Sequence, residues 1–139
     1  HTCARRSDNS AYCWGPNDHG ELGDGTNNWS YVPKLVAGSG TLTVDAGYGT
    51  TCARSTGGDM YCVGRNITGL FGVGSLSTAN TSPVLVRTSM TAFDLFPAGY
   101  HQCIVDTGAV LCAGGNKWAQ LGTTEATTAP ATVTGSWKS

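Results

Sequence analysis

Six cysteines stand in three pairs, Cys3 with Cys13, Cys52 with Cys62 and Cys103 with Cys112, whose members are ten, ten and nine residues apart. Two thiols at that distance can close a disulfide if the chain doubles back between them, contribute to a zinc site, or lie buried and free. The intervening strings Ser7-Asp8-Asn9-Ser10, Ser55-Thr56-Gly57-Gly58 and Asp106-Thr107-Gly108 are hairpin turn residues, with Gly or Asn supplying positive φ. Antiparallel strands on either side set the sulfurs opposite each other, and this spacing predicts three local disulfides. Zinc wants four converging ligands, usually two of them at C-x2-4-C spacing. Each pair has at most one nearby His, His1 or His101, and the second has Thr50 in that place. No metal site is expected, and zinc or free buried thiols stand as the rival readings. Paired cysteines imply an oxidising compartment, so a secreted, extracellular or cell-surface location is expected. Each bridge closes a short loop and contributes about 2–3 kcal/mol on the chain-entropy account.

Other reactive groups form no constellation. The acids Asp8, Asp18, Glu21, Asp24, Asp45, Asp59, Asp94, Asp106 and Glu125 are scattered, several of them in turns. The chain has no Gly-x-Ser-x-Gly elbow, phosphate loop or His-Glu-x-x-His. Gly23-Asp24-Gly25 reads as a turn, because the ligand spacing of a calcium loop is missing. No enzyme activity and no cofactor are expected. Charged residues make up 12% of the 139, and the net charge is −1. With no basic surface to displace phosphate counterions, nucleic acid is not an expected partner. No apolar run approaches the roughly 18 residues of a spanning helix, so membrane insertion is not expected.

The cysteines also mark a repeat. Four residues after the second Cys of each pair comes Asn17, Asn66 or Asn116, and nine and ten residues after it come Leu22-Gly23, Phe71-Gly72 and Leu121-Gly122. Pro33, Pro83 and Pro130 then open short apolar stretches. Approximate repeats are 1–49, 50–100 and 101–139. Segments such as Leu42 to Ala46, Ala92 to Phe96 and Ala109 to Cys112 read as strands, bounded by Gly, Asn, Asp and Pro. A unit near 50 residues with about four short strands has the size of a propeller blade. The expected fold is all-β, a partial β-propeller of three blades.

The strings His1-Thr2-Cys3-Ala4, Tyr12-Cys13-Trp14-Gly15-Pro16-Asn17, Gly20-Glu21-Leu22-Gly23-Asp24-Gly25 and Ala46-Gly47-Tyr48 resemble the repeat of the regulator of chromosome condensation family. That resemblance implies a seven-bladed β-propeller and covers essentially all of the chain. The second and third copies depart from it: Val63 and Ala113 replace the Trp, and Gly69-Leu70-Phe71-Gly72 stands for Gly-Gln-Leu-Gly. They keep Gly at turns and apolar residues in the core. The nuclear exchange-factor role of the family's founding member belongs to a reducing compartment and is not expected here.

Propellers use about 4 to 8 blades, so three would leave two open faces and unpaired edges. The sequence starts at His1 and stops at Ser139 at one phase of the repeat, as expected of a fragment or a self-associating unit. The expected partners are other copies of the chain or the remaining blades of a longer polypeptide, with a protein ligand besides. Asn28-Trp29-Ser30, Asn66-Ile67-Thr68 and Asn80-Thr81-Ser82 are possible glycosylation sequons. Asn28 and Asn80 rank first, since Asn66 matches the repeat Asn that caps a turn. Trp14 is expected to pack between blades, while Trp29 and Trp118 fall in connections. The expected function is a non-catalytic extracellular module for protein interaction or structural assembly, at the cell surface or in an appendage. The alternatives are a secreted inhibitor of a hydrolase and a carbohydrate-binding lectin.

Overall fold

The computed structural model describes residues 1–37, 40–90, 95–106 and 108–135. Among them every regular element is a β-strand. β1 (Thr2–Arg5), β2 (Ala11–Gly15) and β3 (Ser30–Ala37) form one antiparallel sheet. β4 (Thr41–Ala46), β5 (Thr50–Ser55), β6 (Met60–Gly64) and β7 (Val84–Arg87) form a second, and β8 (Leu95–Ala98), β9 (His101–Asp106), β10 (Ala109–Gly114) and β11 (Thr127–Val133) a third. Each sheet is a meander in sequence order, the simplest way to lay short strands joined by turns side by side.

Hairpin turns set the register. Asn9 at φ 64°, Gly58 at φ 91° and Gly108 at φ 80° provide the left-handed residues that reverse the chain. Cys3 lies opposite Cys13, Cys52 opposite Cys62 and Cys103 opposite Cys112. The shorter third spacing is absorbed in its turn, since Ala109 pairs with Asp106 and the cysteines still face each other. All three pairs are disulfide-bonded.

The sequence repeat and the sheets are out of phase by one strand. β4 lies within the first 49 residues yet pairs with β5, and β8 likewise pairs with β9 of the following copy. The cysteine strands are therefore second and third in a four-stranded sheet. In the first sheet they are β1 and β2, and no described strand takes the place beside β1 that β4 and β8 take in the others. Of the segment Ala92 to Phe96, residues 92–94 lie outside the described part. Trp137 and Thr107 do too.

The core lies between sheets. Cys13, Leu22, Val36 and Val63 join the first sheet to the second. Cys52, Met60, Cys62, Leu70, Phe71, Met90 and Ile104 join the second to the third. Sulfur thus serves twice, as cross-strand staple and as packing between blades. An ion pair from Arg87 of β7 to Asp106 of β9, 3.2 Å, ties the same two sheets at their polar margin.

Candidate functional site: the long-loop end of the sheets

An antiparallel meander sends alternate connections to opposite ends of its sheet. Corners 47–49 and 99–100, between the first two strands of a blade, emerge at the same end as the long loops 16–29, 65–83 and 115–126 that follow β2, β6 and β10. The hairpin turns 6–10 and 56–59 lie at the other end. The long-loop end is therefore built from all three blades.

Each long loop is held by one asparagine. Asn17 accepts a hydrogen bond from the Leu22 N–H (2.9 Å) and donates to the carbonyls of Thr26 (2.9 Å) and Asn28 (3.1 Å). Asn66 accepts from the Phe71 N–H (2.9 Å) and donates to the Ser75 carbonyl (2.9 Å). Asn116 accepts from the Leu121 N–H (2.9 Å) and donates to the carbonyls of Thr123 (2.7 Å) and Glu125 (3.2 Å). An amide is the side chain that can satisfy an orphan N–H and an orphan C=O at once. Burial of Asn17 and Asn66 makes those bonds obligatory. The Leu or Phe five residues on is thereby fixed in the core, and the rest of the loop is free to vary.

The variable parts carry large exposed aromatics. Trp29 is 57% exposed, Tyr48 65%, Tyr100 51% and Trp118 79%. Trp29 donates its indole N–H to Asp18 (3.0 Å), which fixes the ring on its own loop. The Lys117 ammonium sits 5.1 Å from the Trp118 ring centroid. Tyr48 and Tyr100, from the Ala-Gly-Tyr corners of the second and third blades, bring their rings to 6.4 Å. The Arg65 guanidinium lies 5.7 Å from each centroid. Its backbone is pinned, the N–H donating to Gly49 O (2.7 Å) and the carbonyl accepting from Thr50 Oγ1 (2.8 Å). No described carboxylate pairs with it, and its Nε is buried without a hydrogen-bond partner. Thr68 Oγ1 and the Gly115 N–H both donate to the Tyr100 carbonyl, at 2.6 and 2.7 Å, and so fix the second corner.

Between the first and second sheets lies a cleft of about 330 Å3 with mostly apolar walls. The matching space between the second and third sheets is about 20 Å3. Equivalent lining positions differ in both directions: Ala53 and Thr51 stand where the second space has Ile104 and Gln102, while Tyr61 and Val63 stand where it has Leu111 and Ala113.

No group of three or more His, Cys, Asp and Glu residues among those described could hold a metal ion. The displaced titrations lie at the hairpin end. Asp8 is lowered chiefly by the Ser10 hydroxyl and also by the Ser10 N–H, and Arg6 is raised by Tyr12 and then Asp8.

The structure sorts the three sequons. Asn28 is exposed, and Asn80 is half-buried with its amide donating to Gly64 O (2.8 Å). Asn66 is 1% exposed with both ends of its amide engaged. Trp14 is half-buried, whereas Trp29 and Trp118 stand out from the surface. In the sequence Ala46-Gly47-Tyr48 stands out only as part of the repeat resemblance, and Arg65 does not stand out. The signal was a lone Arg at a repeat position occupied by Pro16 and Gly115 elsewhere.

Residues 8–54 match the family model for the regulator of chromosome condensation (RCC1) repeat. Prp20p from Saccharomyces cerevisiae, described with its binding properties to Gsp1p and histones, superposes with a TM-score of 0.73 at 22% identity over 96% of this chain and 36% of its own. The structure of Kap60 bound to yeast RCC1 (Prp20) matches with a TM-score of 0.72 at 14% identity, over 94% of this chain and 35% of that one. Human WBSCR16 matches with 0.70 at 17% identity, over 92% and 34%. The chain spans about a third of the length of each of these proteins, and at such identities the likeness is one of fold. This chain therefore carries an RCC1-type repeat, and its three disulfide-bearing sheets are arranged as blades of an RCC1-type β-propeller.

Proposed function

We propose that this chain is a non-catalytic extracellular protein-interaction module that binds through its long-loop end. One observation carries the reading: exposed aromatics from all three blades, Trp29, Tyr48, Tyr100 and Trp118, project from loops at one end of the sheets. Tyr and Trp give large contact area at small entropic cost, and together with Arg they dominate measured binding energies. Proteins of this fold that bind other proteins, Prp20p among them, support an interaction role. The disulfide in each sheet supports an oxidising, extracellular setting. Further blades of a longer polypeptide, or other copies of the chain, complete the assembly beside the β1 edge and the outer faces. In a glycosylating host, Asn28 is the sequon best placed for a sugar. A secreted inhibitor of a hydrolase is the second reading, favoured by the same rank of aromatics on one rim.

Site-specific photo-crosslinking on protein secreted by its own source tests the proposal. A photoreactive residue at Trp29 or Trp118 is expected to capture protein, and one at Arg5 or Ser7 of the hairpin end is not. Capture spread equally over both ends, or found only at the hairpin end, would overturn it. Intact mass before and after reduction checks the compartment: material from the source should gain two hydrogens for each of its three bridges.

A further inference from the structure

We infer that Tyr48, Arg65 and Tyr100 form a receptor for a carboxylate, the side chain of an acidic residue on the partner. The inference rests on the reading of the long-loop end as a protein-binding face and names the chemistry that face selects. Arg65 supplies a guanidinium, with donors only and no acceptor. Cations on protein surfaces are usually answered by a nearby carboxylate or left on a mobile side chain in water. Among the described residues no carboxylate answers Arg65, and its side chain is packed against rings instead of left loose in water. It packs against two phenol rings at 5.7 Å, and those rings stand 6.4 Å apart, so the three centres form a nearly equilateral triangle. Its backbone is anchored at both its N–H and its carbonyl. Its Nε is buried without an acceptor.

The result is a held cation whose charge no carboxylate among the described residues compensates. Ordering entropy, which discounts most surface ion pairs, has already been spent on folding. Two partly exposed phenols flank it and shield an incoming anion from water. A guanidinium presents a planar fork that matches the two oxygens of a carboxylate, and such charge-assisted pairs are the strong ones. The receptor is single in this chain, because Pro16 and Gly115 occupy the positions of Arg65 in the other two loops. It bridges two blades, since Tyr48 belongs to the corner after β4 and Tyr100 to the corner after β8.

The probe is a fluorescently labelled hexaglutamate peptide, with hexaglutamine as its uncharged match, followed by polarisation at low salt. The intact chain should prefer hexaglutamate by about tenfold or more, the range expected of one charge-assisted pair. The preference should shrink as salt rises. Arg65→Gln should bring the ratio to about one, and Arg65→Lys should fall between, since it keeps the charge and loses the fork. Tyr48→Leu with Tyr100→Leu should lower the ratio with Arg65 in place. Arg5→Gln with Arg6→Gln, at the opposite end, should leave it unchanged and so separates the receptor from general attraction of acid to base. A chain that does not prefer hexaglutamate, or whose preference survives Arg65→Gln, overturns the inference. Crosslinking from Trp118 does not depend on Arg65, so capture there together with silence from the peptides would remove the receptor and leave the protein-binding face standing.

Discussion

Gly69 and Gly74 lie in the same long loop with nearly the same left-handed backbone, φ 77° and 76°. Their surroundings differ completely. A Cβ on Gly69 would stand 2.8 Å from the Thr128 Cα of β11, whereas a Cβ on Gly74 would have nothing within 4 Å. Alanine at either position pays about 1–2 kcal/mol for the left-handed conformation and recovers about 0.4–1 kcal/mol from the unfolded chain. Gly74→Ala should therefore cost about 1 kcal/mol. Gly69→Ala adds the cost of forcing a methyl into backbone, about 1–3 kcal/mol, for a total near 2–4. Gly20, whose Cβ would stand 2.7 Å from the Thr81 Cα, should behave like Gly69. Urea unfolding with the disulfides intact, followed by tryptophan fluorescence, measures the difference. Equal losses for Gly69→Ala and Gly74→Ala would show that the close approach of the third blade to the second loop is not a determinant of stability, and the description of the joint would fall.

Asn66→Ala strips the buried Phe71 N–H of its partner and leaves the carbonyl of the exposed Ser75 to water, and one unmet buried group costs about 1–3 kcal/mol. A loss of that size is expected in the same assay, with Asn66→Asp also destabilising because a carboxylate cannot donate. Ala53→Ile should stabilise by about 1 kcal/mol, since it places the side chain found at Ile104 into the half-open cleft of the first joint; a lower melting temperature would contradict the cleft. The Asp8 carboxyl is held below its ordinary value of 3.8, first by the Ser10 hydroxyl. A depressed carboxylate lends stability above its unfolded value and loses it as pH falls through the folded one. Asp8→Asn should therefore flatten the fall in stability at low pH, read by comparing urea midpoints at about pH 5 and about pH 2.5.

What could be read from the sequence depended on how local the cause was. Disulfide pairing was legible because it needs only a hairpin, and hairpin turns announce themselves in Asn9, Gly58 and Gly108. The repeat asparagines were legible as turn caps, though not their reach to the carbonyl nine residues on. Sheet phase was hidden: β4 lies within the first copy yet pairs with a strand of the second, and no periodicity inside a strand reports which neighbour it will join. The Tyr48, Arg65 and Tyr100 cluster was hidden for a stronger reason. Its parts come from two corners and a loop spread over two sheets, and one of them sits at a position where the copies share nothing.

The two internal joints share a design that the third copy abandons. At the first, the Gly25 N–H donates to Thr81 O (2.9 Å) beside Gly20; at the second, the Gly74 N–H donates to Thr128 O (2.8 Å) beside Gly69. The equivalent residues in the third loop are Thr124 and Ala119, and Ala119 keeps the left-handed turn at φ 58° despite its methyl. That methyl occupies the place through which a neighbouring backbone passes at both other joints. A following blade, from this polypeptide or from another copy, must stand off by more than its counterparts do, or push the loop aside. On the opposite flank the first sheet has three described strands and β1 at its edge. The two flanks are thus unlike each other and unlike the joints between them. Heterologous contacts repeat freely only when each interface is the same as the last, so any ring that includes these three blades contains at least one joint built on different contacts.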